Sequence, residues 1–308
     1  MSCPPQETSG LVEVAVPVAT MWTGSGAPRD VDAPAVRDVP DVAAWAGGMD
    51  AGVRKGLDGR TLTQLLLGEP ARIVEESGDW ARVLAPYQRS PRHPDGYPGW
   101  VRRAHLATHV DPTSGRTAYV HVPTTTLRVV GGPDLSVSFG TVLWVDDVTV
   151  GHAEVLLPGG RAGLLPLSDL RLSTKEEPPT CDVESVLADA SRFLGLRYLW
   201  GGLSAWGLDC SGLVHLVCRA RGVLVPRDAK DQAAELEPVR LDEVRRGDLY
   251  FFARPGEHVY HVGFATAPPE GEHRMMLHAP ESGELIEDAP MAPYRLEHLV
   301  SAGRLPGP

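Results

Sequence analysis

Among the residues that could do chemistry, Cys210 has the most suggestive surroundings. It follows the glycine-rich stretch Tyr198-Leu-Trp-Gly-Gly-Leu-Ser-Ala-Trp-Gly-Leu-Asp209 and precedes Ser211 and Gly212. From there Leu213, Val214, Leu216, Val217 and Ala220 recur at helical spacing, interrupted by His215 and Arg219, and Gly222 supplies a stop. This spacing predicts a helix whose first turn carries the thiol. The unpaired amides and the positive dipole end found there favour an anion, so the cysteine is expected to ionise more easily than an ordinary thiol of pKa about 8.5. Gly201, Gly202, Gly207 and Gly212 allow close backbone approach and leave a cleft rather than a filled core. A lone cysteine is more often a small buried hydrophobe; a base within reach is what makes it a nucleophile.

That base must be one of eleven histidines. Val259-Tyr-His-Val-Gly-Phe-Ala-Thr266 alternates as a strand, with Val259, His261, Gly263 and Ala265 on one face. A second strand is expected at Met275-Met-Leu-His-Ala279, after a turn at Pro268-Pro-Glu-Gly271. A hairpin centred in that turn places His261 directly opposite His278, with Cβ atoms about 5 Å apart, as a base and its orienting partner. Metal binding by His258 and His261 is the weaker reading, because no further Cys or His spacing completes a zinc set. His215, His273 and His298 have no such pairing and read as surface residues.

These motifs in combination resemble the NlpC-type, papain-like cysteine peptidases of bacteria, which cut peptidoglycan stem peptides. The resemblance rests on Trp200-Gly-Gly, Asp209-Cys-Ser-Gly-Leu-Val214, Arg246-Gly-Asp-Leu-Tyr-Phe-Phe252, His261-Val-Gly-Phe264 and Leu277-His-Ala-Pro280, and covers roughly residues 182–305. It implies Cys210 as nucleophile, His261 as general base and His278 as the polar residue that orients it. It also implies an oxyanion site beside the cysteine backbone and makes Tyr198 a candidate hydroxyl donor in the cleft. Pro226-Arg-Asp-Ala-Lys-Asp-Gln232 resembles the family's segment after the catalytic helix, but Ala229 stands where some relatives carry a hydroxyl, which puts one substrate contact in doubt.

The elements that must position these residues are fewer than the chain could supply. At 308 residues it has room for two or three domains. A formal charge of −11 argues against nucleic acid and against an anionic membrane surface as partner. Twenty-eight prolines and 33 glycines suit a loop-rich, largely β construction ahead of the peptidase. Cys3, Cys181, Cys210 and Cys218 show no paired spacing, which suits a reducing compartment. No segment reads as a signal peptide or a membrane span, so a cytoplasmic location is expected if Met1 is the native start, and export otherwise.

A strand is expected over Leu11–Val18, then an insertion at about 24–60 with a short helix from Val39 to Met49. Strand-like runs follow at Thr61–Leu67, Ala71–Glu75, Trp80–Ala85 and Gly99–Val101. Short strands at this spacing suggest a small barrel, and Thr63-Gln-Leu-Leu-Leu-Gly-Glu69, Gly78-Asp-Trp-Ala-Arg-Val83 and Gly96-Tyr-Pro-Gly-Trp100 resemble a bacterial SH3-like domain, taken over residues 1–110. The same grammar recurs faintly at Leu127–Val130, Gly140–Trp144, Ala153–Leu157 and Gly163–Leu170, which predicts a second, diverged barrel over 111–173. A linker at 174–181 and a helix Val183–Leu194 capped by Asp182 lead into a peptidase domain at 182–308. The expected fold class is α+β: two small SH3-like β-barrels followed by a papain-like domain.

Two such barrels ahead of such a peptidase resemble the γ-D-glutamyl-L-diamino acid endopeptidases that recycle murein peptides. The resemblance implies a small murein peptide substrate with a free N-terminal L-Ala, and no cofactor or metal. A barrel closing one end of the cleft would admit free peptides, and the buried ammonium would need carboxylate or phenol partners. Asp209, Glu69 and Tyr97 are the candidates, while Ser211, Tyr198 and Trp200 complete the expected substrate-binding set. The alternatives are an exported wall hydrolase using its barrels as binding modules, and a catalytically inactive murein-binding protein.

Overall fold

The computed structural model describes residues 10–112, 114–174, 182–281 and 284–306. Most of the expected 174–181 linker, Cys3 and Cys181 lie outside them. The two N-terminal regions are each built on a seven-stranded antiparallel sheet. In the first, the strands are Leu11–Val14, Val18–Trp22, Thr61–Leu66, Pro70–Ser77, Trp80–Ala85, Tyr97–Arg102 and Leu106–Thr108. Counted from its own first strand, its spatial order is 3-2-6-5-4-1-7. The second sheet, from Thr117–Val120 to Leu170–Ser173, has the same order strand for strand. The repeat faintly legible in the sequence is thus a repeat of topology. The single strand expected over 11–18 is two, divided before Pro17, whose missing N–H cannot join a ladder.

The repeats differ between their second and third strands. The first carries the insertion there, folded into short helices that include Val42–Gly48 and Ala51–Lys55, capped by Asp41 and Asp50. Trp45 and Leu57 from it join Trp22 in a core that runs on into the peptidase domain. The insertion therefore packs inward. Its Arg54, 2% exposed, donates to the Tyr198 carbonyl at 2.8 Å. The Thr61 hydroxyl donates to the Trp200 carbonyl at 2.9 Å, so the first barrel and its insertion grip the stretch that leads to Cys210.

The third region opens with the helix Val183–Ser191, capped by Asp182 and shorter than expected. It continues with the helix Cys210–Arg219 and a six-stranded sheet containing Leu249–Ala253, Val259–Ala265 and Met275–His278. All ten residues of Cys210–Arg219 are buried, including His215 and Arg219, which rules out a surface position for His215. Its Nδ1 bonds the Val225 carbonyl at 2.8 Å, so the apparent polar interruptions of the helix are interior contacts. A helix buried on every side needs neighbours on every side, and the barrels supply two of them.

Gly68 and Gly140 make that close packing possible. They occupy equivalent places in the two repeats, two residues beyond the third strand, both with positive φ (+80° and +83°). A Cβ on Gly68 would come within 2.8 Å of Leu143 in the second barrel, and one on Gly140 within 2.6 Å of Leu216 on the central helix. The same turn is used twice to bring one unit against the next.

Candidate active site

The central helix begins at Asp209, whose Oδ1 accepts the Gly212 amide at 2.6 Å. Arg227 forks onto this carboxylate, Nη1 to Oδ1 at 2.9 Å and Nη2 to Oδ2 at 2.7 Å, and is itself 1% exposed. Its Nε donates to Thr63 of the first barrel at 2.8 Å, and Thr63 donates to Gln88 at 2.6 Å. Gln64 accepts from the Leu203 amide and the Ser204 hydroxyl at 3.0 and 2.9 Å. A buried polar network therefore ties the barrel to both flanks of Cys210. Losing one partner from it would strand the others without water.

Cys210 is 7% exposed. The helix packs on the strand Val259–Ala265, and the Val262 amide donates to the Cys210 sulfur, which places the thiol beside the residue following His261. His261 Nε2 lies 2.9 Å from His278 Nδ1, and His278 Nε2 lies 3.3 Å from Glu287 Oε1. This chain selects tautomers. An ionised Glu287 only accepts, so His278 carries its proton on Nε2 and accepts through Nδ1. His261 must then donate from Nε2, which leaves its Nδ1 as a free lone pair.

The two histidines are diagonal, not directly opposed. Phe264 pairs with Leu277 and Ala265 with Met276, so the next step of the register puts His278 across from Gly263. The hairpin's centre is shifted by one residue from the turn read in the sequence. A Cβ on Gly263 would sit 2.8 Å from the His278 Cβ, and its absence leaves the space through which His278 reaches His261. The ring centroids are 5.0 Å apart and nearly perpendicular.

Burial sets the electrostatics. It pushes the Cys210 thiol up to about 12, the Asp209 carboxylate adding to the effect, against the Val262 and Ser211 amides and Arg227. Burial also holds His261 well below its usual 6.5, helped by neighbouring His278 and the Arg295 guanidinium, and lowers His278 to about 3, with Arg295 second. The resting pair is a neutral thiol and a neutral imidazole. The easily ionised thiol expected from the helix terminus is corrected, because desolvation of a nearly enclosed sulfur outweighs the terminus. Tyr198, buried beside Cys210 and Asp209, is held well above 10 chiefly by desolvation and stays an O–H donor.

A cavity of about 380 Å³ opens over Cys210. Five of the expected substrate-binding residues line it: Asp209, Ser211, Tyr97, Tyr198 and Trp200. Glu69 does not. It lies buried in a separate cavity, paired with Arg219 at 2.7 Å, because the turn that carries it faces the second barrel. Asp209 does line the cleft, but its carboxylate serves the helix cap and Arg227, so it is not the open acid that an ammonium would need. Asp228 and Asp58 also line the cavity, and neither stood out in the sequence. Tyr97 donates its hydroxyl to Asp228 at 3.0 and 3.1 Å, with Arg92 at 3.5 Å from the same carboxylate and stacked on the Tyr97 ring. The charged pair Arg227-Asp228 after Pro226 was the available signal. Ala229 also lines the cavity and brings no hydroxyl to it.

A cysteine at a helix start, two coupled histidines on a sheet and a cleft roofed by a barrel define a cysteine peptidase architecture. Residues 195–304 match the NlpC/P60 family and residues 53–106 the bacterial dipeptidyl-peptidase Sh3 domain. The chain is 33% identical to the gamma-D-glutamyl-L-lysine dipeptidyl-peptidase of Bacillus subtilis (strain 168), across 88% of this chain and 90% of that one. It is 30% identical to the protein of the same name from Bacillus cereus (strain ATCC 10987), across 94% and 89%. The crystal structure of an NlpC/P60 family protein from Bacillus cereus ATCC 10987 superposes with a TM-score of 0.90, covering 96% of this chain and 99% of that one at 30% identity. The chain belongs to the NlpC/P60 family of cysteine peptidases.

Two outcomes follow from the geometry. Gly263→Ala should push His278 off its bond to His261 and lower kcat by about 10²-fold with an intact fold, read by steady-state kinetics and circular dichroism; unchanged kcat would contradict the diagonal fit. Because the thiol is held high, its thiolate fraction, and with it the rate of iodoacetamide alkylation, should climb about tenfold per pH unit from about pH 6 to about pH 9. A rate already flat above about pH 5 would instead mean a preformed thiolate–imidazolium pair.

Proposed function

We propose that this peptidase hydrolyses the γ-D-glutamyl–diamino acid bond of free murein peptides that begin with L-Ala, with Cys210 as nucleophile, His261 as base and His278 as its orienting partner. The observation that carries the reading is the carboxylate of Asp228, held by Tyr97 of the first barrel inside the cavity that contains Cys210. A partly buried carboxylate so placed suits a substrate's terminal ammonium, and Asp58 on the insertion adds negative charge at the same cavity. The names of the Bacillus relatives support a peptidase that removes an N-terminal dipeptide ending in γ-D-Glu.

The chemistry balances as acyl transfer. As the Cys210 sulfur attacks the D-Glu γ-carbonyl carbon, its proton passes to His261 Nδ1. The oxyanion faces the Cys210 amide at the helix start and the Tyr198 hydroxyl, donors that gain most as charge develops. Collapse breaks the C–N bond, and His261 returns the proton to the departing amine. Water, deprotonated by His261, then opens the thioester, releasing the dipeptide and restoring the thiol. Ser211 and Trp200 bind substrate in this reading. Its substrates in this reading are free peptides released from the wall.

Mass spectrometry of L-Ala-γ-D-Glu-diaminopimelate and of intact sacculi, each incubated with wild type and Cys210→Ala, tests the proposal. L-Ala-D-Glu should appear from the free peptide with wild type alone. Release from sacculi at a comparable rate would overturn it in favour of a wall hydrolase.

A further inference from the structure

The cavity over Cys210 carries charge of both signs. Asp58 and Asp228 line it with carboxylates, and Arg92 and Lys230 line it with cations. Arg92 is already committed, 3.5 Å from the Asp228 carboxylate and 4.9 Å from the centre of the Tyr97 ring on which it stacks. Lys230 is not. Its side chain is exposed and makes no hydrogen bond or ion pair among the described residues. It stands on the helix Ala229–Glu235, two residues beyond Asp228, which puts the two Cα atoms no more than about 7 Å apart. Between them Ala229 contributes only a methyl group. The carboxylate assigned to the substrate's ammonium and an uncommitted cation therefore sit side by side on one segment lining the cleft.

Resting on the peptide substrate proposed above, we infer that Lys230 binds the α-carboxylate of the D-Glu residue and restricts the enzyme to peptides in which that group is a free acid. The spacing follows from the substrate's own chemistry. The α-carboxylate lies one peptide unit from the terminal ammonium, about 5 Å away, and the scissile γ-carbonyl continues from the same α-carbon along the side chain. With the ammonium at Asp228 and the carbonyl at Cys210, the carboxylate is left beside Asp228, within the span of a lysine's flexible four-carbon stem. A carboxylate that enters such a cleft sheds water and requires a cation, and Lys230 is the lining cation whose charge is uncompensated. An α-carboxamide in the same place brings no charge, so it forfeits the ion pair. The charged groups of the diamino acid lie beyond the scissile bond, past Cys210 from Asp228, and are not candidates for this contact.

Steady-state kinetics on two peptides test this: L-Ala-γ-D-Glu-diaminopimelate and the same peptide with its D-Glu α-carboxylate converted to the carboxamide. The wild type should favour the carboxylate peptide at least about tenfold in kcat/KM. In Lys230→Met that preference should collapse to about onefold through a higher KM for the carboxylate peptide, and Lys230→Arg should restore most of it. Lys230 is exposed, so the fold should tolerate both changes, with circular dichroism as the check. A general disturbance of the cleft would slow both peptides together and leave their ratio intact. A wild type that cuts the two peptides equally well, or a Lys230→Met enzyme that keeps the preference, would overturn the inference while leaving the proposed reaction standing. A wild type that cuts neither peptide would instead overturn the proposed reaction, and this inference with it.

Discussion

A ten-residue helix with no exposed face dictates how this protein is assembled. Cys210–Arg219 carries the nucleophile at one end and a buried arginine at the other, and its stability depends on neighbours that cover all of it. The six-stranded sheet covers one side, and the second barrel presses Gly140 against Leu216. The first barrel reaches the helix start through Thr63, Arg227 and Asp209. Burial of the helix, enclosure of the cleft and docking of the barrels are therefore one constraint. The same burial keeps the thiol and the imidazole neutral at rest.

The duplicated barrel has been put to two uses. The copies keep one strand order and one glycine turn after the third strand, and that turn makes the contact to the next unit in each case. Only the first copy carries an insertion between its second and third strands. That insertion packs through Trp45 and Leu57 into the common core and holds the Tyr198 carbonyl through Arg54. In this arrangement the first barrel forms part of the cleft, with Tyr97 and Asp58 lining it, while the second buttresses the helix that carries the nucleophile.

Local features were legible in the sequence, and meetings between distant segments were not. The glycine-rich approach, the helix from Cys210 and the strand with His261 each have a short-range signature, and the barrels announced themselves through strand spacing. The pairing of His261 with His278 was legible in kind but not in register, because a turn read from Pro and Gly leaves its centre uncertain by a residue, and the space left by Gly263 appears only in three dimensions. Glu69 illustrates the opposite limit. It lies on a turn of the first barrel, and which way that turn faces is decided by docking against Leu143 in the second. Asp228 is silent in the sequence for the same reason, because it matters through Tyr97, 131 residues away in the chain.

The central claim is that the first barrel makes the cleft selective for a free terminal ammonium through Asp228 and Tyr97. The most direct test is the ratio of kcat/KM for L-Ala-γ-D-Glu-diaminopimelate to that for its N-acetylated form, measured in wild type and in Asp228→Asn. The account predicts a wild-type ratio of at least about 10², equivalent to roughly 2.7 kcal/mol, that collapses in the variant through loss of activity on the free-amine peptide. A wild-type enzyme that cuts both peptides equally well would contradict it.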